Sequence, residues 1–129
     1  MPTTVLLRNA PEHAIAAFAP KPTTLTPGQA EGVTDVWAAP GVSPGPVETG
    51  IWEATTGSFT ATRDGYHEIC YLVSGRVTLV EEGEEPLELR AGDLFVTPAG
   101  WRGVWHVHEP LRKVFVIIPT AGAAEPLSR

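Results

Sequence analysis

The sequence lacks most of the devices by which small proteins are stapled, anchored or drawn to polyanions. It holds one cysteine, Cys70, which excludes an internal disulfide and any CxxC zinc site. No apolar run approaches the roughly 18 residues of a membrane span, and Met1-Pro2-Thr3 does not open a signal peptide. Nine basic residues stand against fifteen acidic ones, a net charge of −6, and no Lys/Arg cluster interrupts that balance. An acidic chain of this kind has no electrostatic footprint for nucleic acid. No 20–50-residue repeat is visible, which excludes propellers and solenoids. The expectation is a soluble, cytoplasmic protein with neither a nucleic-acid nor a membrane partner.

What remains is 129 residues with 43% apolar side chains, 13 Gly and 13 Pro. That length makes one domain able to bury roughly two-thirds of its unfolded surface, and so many helix breakers argue against a bundle. Eight prolines (Pro2, Pro11, Pro20, Pro22, Pro27, Pro40, Pro44 and Pro46) fall in the first 49 residues. A proline denies a central strand its ladder donor, so residues 1–49 are expected to be extended and to pack on the main body or on a partner subunit. Glu12–Phe18 could form a short helical turn, and Gly32–Ala38 alternates as a strand.

Beyond residue 49 short apolar runs alternate with turn residues. The pattern predicts strands at Ile51–Thr55, Ser58–Thr62, Tyr66–Val73, Arg76–Glu81, Pro86–Arg90, Asp93–Thr97, Gly103–Val107 and Arg112–Ile118, an all-β sandwich or barrel. Residues 50–119 would be the barrel core and 120–129 a tail. Tyr66–Val73 and the last strand are apolar on both faces, so the outer face needs a cover. Either the amino-terminal segment or a second subunit supplies it, and a homodimer is expected.

Two stretches resemble the paired motifs of the cupin superfamily. The first is Glu68, six residues, then Gly75; the second is Gly92, five residues, Pro98, Ala99, Gly100. The runs YHEICYLVSG, GDLFVTPAGWRGVW and RKVFVI are most similar to the (S)-ureidoglycine aminohydrolase-like cupins, over residues 50–119. The resemblance implies a jelly-roll β-barrel carrying an extended Pro-rich amino-terminal segment. It also implies a three-His-plus-Glu metal site, from which this sequence departs. Where metal-binding cupins place their first two histidines stand Thr62 and Asp64, or Ala61 and Arg63 on a longer spacing; the third place is Gly103. Of the four ligands only Glu68 is in position. If a divalent metal is held, its ligands would be Glu68 with Asp64, His67 or His106. Strand parity sets His67 opposite Glu68, and His106 and His108 opposite Gly103 and Trp105.

Glu68 is the candidate catalytic residue. A carboxylate inside a barrel needs a metal, a cationic partner such as Arg102 or Arg112, the Tyr66 hydroxyl, or a proton held by a raised pKa. Lys113, between apolar neighbours, could also meet a carboxylate there. Trp52, Trp101 and Trp105 would wall a ligand site with Tyr66, Cys70 and Lys113, the glycine at 103 leaving space beside Trp105; Trp37 adds a fourth tryptophan from the amino-terminal half. Cys70 shares the parity of Glu68 and reads as a buried thiol rather than a nucleophile. Three functions fit: a barrel binding a small polar metabolite without the usual metal, a metal-dependent hydrolase or lyase similar to ureidoglycine aminohydrolase, or a structural or accessory dimer without catalysis.

Overall fold

In the computed structural model, which describes residues 3–39 and 45–120, the chain is all-β and antiparallel, with no helix among the described residues. None is therefore present that is long and apolar enough to cross a membrane. Eight strands follow in order: β1 (Phe18–Pro20), β2 (Ala30–Ala38), β3 (Glu48–Ala54), β4 (Gly57–Thr62), β5 (Tyr66–Glu81), β6 (Leu87–Arg90), β7 (Leu94–Thr97) and β8 (Arg102–Pro119). The expected tail, 120–129, lies outside the described residues except for Thr120.

Two long strands, β5 and β8, pair along most of their length and belong to both halves of the barrel. The first half of β5 and the second half of β8 make one sheet, which β7 extends on one side and β3, β2 and β1 on the other. The other halves make a second sheet with β4 and β6 at its edges. Pairing of β2 with β3 carries the larger sheet across residue 50 into the amino-terminal segment. Alternation fixes which side chains meet inside: Tyr66, Glu68, Cys70 and Leu72 from β5, and Trp105, Val107, Leu111, Lys113, Phe115 and Ile117 from β8 are buried.

The sequence pattern divided each long strand in two, and the structure joins them. Ser74-Gly75 is not a hairpin, and Glu109-Pro110 does not end a strand; both sit where β5 and β8 bend together from one sheet into the other. The register shifts between Leu72 and Val77, and the inward face of β5 changes from even to odd positions, so that Val77 and Leu79 are buried. Gly75 permits this with φ +92° and no Cβ to strike the Pro110 carbonyl oxygen. Pro110 has no N–H to leave unpaired at the irregularity. The predicted helical turn over Glu12–Phe18 is absent: the chain turns at Arg8–Glu12, with Glu12 and His13 N–H donating to the Asn9 carbonyl, and Phe18 opens β1. Prolines on both sides (Pro11, Pro20) leave too short a span for a helix to offset its nucleation cost.

Gly75→Ala is therefore expected to lose about 3 kcal/mol, since it adds both a clash with the β8 backbone and a disfavoured φ. Gly83→Ala, at φ +82° with nothing near its would-be Cβ, should lose only about 1 kcal/mol. Urea unfolding midpoints of the two variants check the contrast.

Candidate functional site

At the middle of the larger sheet Glu68 is wholly buried, and the structure surrounds it with cations. Arg63, in the turn after β4, donates through Nη2 to Glu68 Oε1 at 2.7 Å and through Nε to Thr97 Oγ1 of β7 at 3.0 Å. Lys113 of β8 brings Nζ to 3.0 Å from Glu68 Oε2. That approach is an ion pair by distance but off line for a hydrogen bond. Glu68 Oε2, Lys113 Nζ and the Trp105 indole N–H thus have no aligned hydrogen-bond partner among the described residues. Lys113 Nζ also lies 4.3 Å from the Trp52 ring centroid and 4.5 Å from that of Trp105, where aromatic faces partly replace water around the ammonium.

A second pair adjoins the first. Lys21 Nζ sits 3.0 Å from Glu31 Oε1 and 4.7 Å from the Phe59 centroid, and the Trp52 indole donates to the same Glu31 oxygen at 2.9 Å. The chain has only two lysines, and both are buried here. Burial pushes the Lys21 ammonium below its usual value; Glu31 opposes this, while Lys113 and Arg63 add to it. Burial would raise the Glu68 carboxyl, but Lys113 and then Arg63 outweigh it and hold it below its ordinary value. Glu68 is thus a permanent anion at neutral pH. The Cys70 thiol hydrogen-bonds to Glu68 and is pushed far up, first by burial, which leaves it protonated and unreactive.

The remaining sequence candidates separate into inside and outside. Tyr66 is buried, donates to the Thr62 carbonyl oxygen at 3.1 Å, and lies under the Arg63 guanidinium. Arg102 is exposed and 3.9 Å from Glu82, while Arg112 pairs with Glu53 at 2.8 Å and donates to the Ala10 carbonyl. Neither is the cation of Glu68, because each projects from β8 on the side away from the core. Asp64 is exposed in a turn. His67 Nδ1 accepts from the Ala99 N–H. His106 and His108 meet Ser58 and Thr78 on the outer face of the smaller sheet.

A cupin metal does not fit this arrangement. Among the described residues no three of His, Cys, Asp and Glu gather closely enough to hold a metal ion, and Glu68 is already neutralised by two cations. Nor does Gly103 open space: the Trp101 ring lies 2.7 Å from its would-be Cβ, beside the β5 backbone. Arg63 is the residue that sequence reasoning passed over. Its signal was there, a cation standing at one of the two ligand spacings before Glu68.

A cleft of about 430 Å³ opens next to this core, lined by Leu79, Phe95, Thr97 and Trp101 below and by Glu81, Glu84, Glu85 and Leu87 at its rim. Phe95 packs on Trp105 with centroids 5.8 Å apart, and Thr97 separates the cleft from Arg63. Trp52 and Trp105 lie deeper and wholly buried, Trp105 stacked on Phe59 and Trp52 edge-on to both. Of the three tryptophans expected around a ligand, only Trp101 lines the cleft.

The profile of the EutQ-like cupin domain family matches residues 43–115. The EutQ protein of Clostridium difficile superposes with a TM-score of 0.63 and 24% identity, over 81% of this chain and 73% of that one. A Salmonella typhimurium protein described as ethanolamine utilization protein Q gives 0.58 and 25%, over 70% of each chain. Ectoine synthase from P. lautus gives 0.61 and 12%, over 70% of this chain and 64% of that one. These likenesses show a cupin fold. A comparison with curated proteins finds no match.

Lys113→Met should lose about 3 kcal/mol at pH 7 by leaving Glu68 short of a counter-charge. The loss should shrink towards pH 4, where the carboxyl, no longer held down by Lys113, takes up a proton. In the unchanged protein the sign is opposite: a lowered carboxyl pKa gives stability that is complete above the unfolded value and lost as pH falls through the folded one. Urea titrations of both proteins between pH 4 and 7 check it.

Proposed function

The chain belongs to the EutQ-like cupin family, and from that premise we propose that its barrel binds a small polar metabolite in the cleft beside β7, without a three-histidine metal site. The observation that carries this reading is the cleft itself. About 430 Å³ is within the range of small-molecule sites, and its make-up is that of such sites, an apolar floor with a few directed polar groups. Leu79, Phe95 and Trp101 offer contact area, and the Thr97 side chain is held in place by Arg63. Three carboxylates at the rim disfavour an anionic ligand and favour a neutral or cationic one.

Glu68 is in this reading a buried counter-ion. It fixes Arg63, and through Arg63 the Thr97 wall of the cleft, rather than moving a proton. The metal-dependent hydrolase or lyase similar to ureidoglycine aminohydrolase needs metal donors that the residues around Glu68 do not supply. The structural, non-catalytic reading draws support from the filled interior, where Trp52, Phe59, Tyr66, Trp105 and Phe115 are wholly buried.

Tryptophan fluorescence of the purified protein, titrated with a panel of neutral, cationic and anionic metabolites, separates these readings. A ligand should change the Trp101 emission, bind equally well with and without EDTA, and bind at least about tenfold more weakly to Leu87→Trp, which narrows the cleft at an exposed position. Binding abolished by EDTA would restore the metal-dependent reading. No response to any member of the panel would leave the structural one.

A further inference from the structure

We propose that the ligand of the cleft beside β7 is an aliphatic amine carrying at least two ammonium groups. The inference rests on the cleft reading above and names the chemistry that such a cleft selects. Its floor, Leu79, Phe95 and Trp101, is apolar and largely aromatic, and Leu87, paired across the strands with Leu79, continues it towards the opening. Above the floor stand Glu81, Glu84 and Glu85, all exposed. Among the described residues no cationic side chain lines the cleft, and none of these three carboxylates takes part in an ion pair.

The backbone holds the acids at the rim. Glu81 closes β5 opposite Gly103 of β8. The Glu82 N–H donates to the Arg102 carbonyl at 2.8 Å, and the Glu84 N–H to the Glu81 carbonyl at 2.9 Å. The turn between β5 and β6 is thus fastened to the strand beside it, with its charge kept over the cleft. Like charges confined together raise one another's energy, and a cation that settles among them relieves it.

Charge, spacing and surface together select the class. A single metal ion is a poor match, because Glu81, Glu84 and Glu85 do not gather closely enough to hold one, and a bare ion would leave the aromatic floor unused. A cation whose charges are spread along an apolar stem fits both parts. Its methylenes lie on Leu79, Leu87 and the faces of Phe95 and Trp101, and its ammonium groups meet the carboxylates. The aromatic faces attract an ammonium as well. A second ammonium adds a further exposed ion pair, worth roughly a twofold to fivefold gain in affinity. Aliphatic amines are protonated at neutral pH, so both charges are present there.

Isothermal titration of the full chain in an amine-free buffer tests this with probes of one carbon length: putrescine, butylamine, butanediol and succinate. Putrescine should bind at least about threefold more tightly than butylamine and about tenfold more tightly than butanediol, and succinate should not bind. The putrescine affinity should fall as salt is raised. Glu84→Gln/Glu85→Gln, exposed changes that keep the side-chain shape, should weaken putrescine at least about fivefold. Glu82→Gln, beside the rim but facing Arg102, should change it less than about twofold. Butanediol or succinate binding as tightly as putrescine would overturn the proposal and leave the small-metabolite reading standing. Putrescine binding unchanged by Glu84→Gln/Glu85→Gln would overturn it too, by placing the amine elsewhere. Silence from every probe would also overturn it; a response to other metabolites would then keep the cleft reading, and no response at all would end both.

Discussion

The rest of the molecule depends on the ion cluster around Glu68. Its members come from four places: Arg63 after β4, Glu68 on β5, Thr97 on β7 and Lys113 on β8. Each of these side chains is nearly or wholly without solvent contact, so a charge left alone there would cost several kcal/mol. The cluster is therefore stable only when the four segments are in register together. It supplies little net stability over an apolar core of the same shape, but it penalises any packing that separates its partners. The Lys21–Glu31 pair extends the same logic to β2, joined through the Trp52 indole. Counted together, Lys21, Arg63 and Lys113 face two carboxylates, and the rings of Phe59, Trp52 and Trp105 take up part of the excess positive charge.

Most of the fold was legible in the sequence because it is written in local signals. Period-two alternation and turn glycines located every strand from β3 to β8 within a few residues. The two errors there have one cause. A glycine with positive φ serves a hairpin and a bulge equally well, and Gly75 becomes a bulge only because Pro110 lies across from it on a strand some 35 residues away. The pairing of β2 with β3 is likewise a long-range matter. Alternation showed Gly32–Ala38 to be a strand, while its neighbour depended on how the sheet closes.

The site was legible in part, for a different reason. That Glu68 points inward, and that Lys113 could meet a carboxylate inside the barrel, followed from parity and from a charge set among apolar neighbours. Arg63 did not follow, because it lies in a turn where parity assigns no direction, and because it was weighed as an absent histidine rather than as a cation. Gly103 misled in a related way. A glycine in place of a ligand suggests open space, yet the missing Cβ is what lets the Trp101 ring lie against the strand. The misfit of a cupin metal at Glu68 thus has two physical parts: a guanidinium and an ammonium already supply positive charge to the carboxylate, and an indole fills the place of a third histidine.

Strand β7 is the wall of the cleft that the ion cluster reaches. It is four residues long and an edge, paired only to β5, which makes it one of the least restrained strands in the barrel. Its residues Phe95, Val96 and Thr97 line the cleft, while Leu94 is exposed. Arg63 restrains it through Thr97, so the cleft wall and the ion cluster are held by one contact.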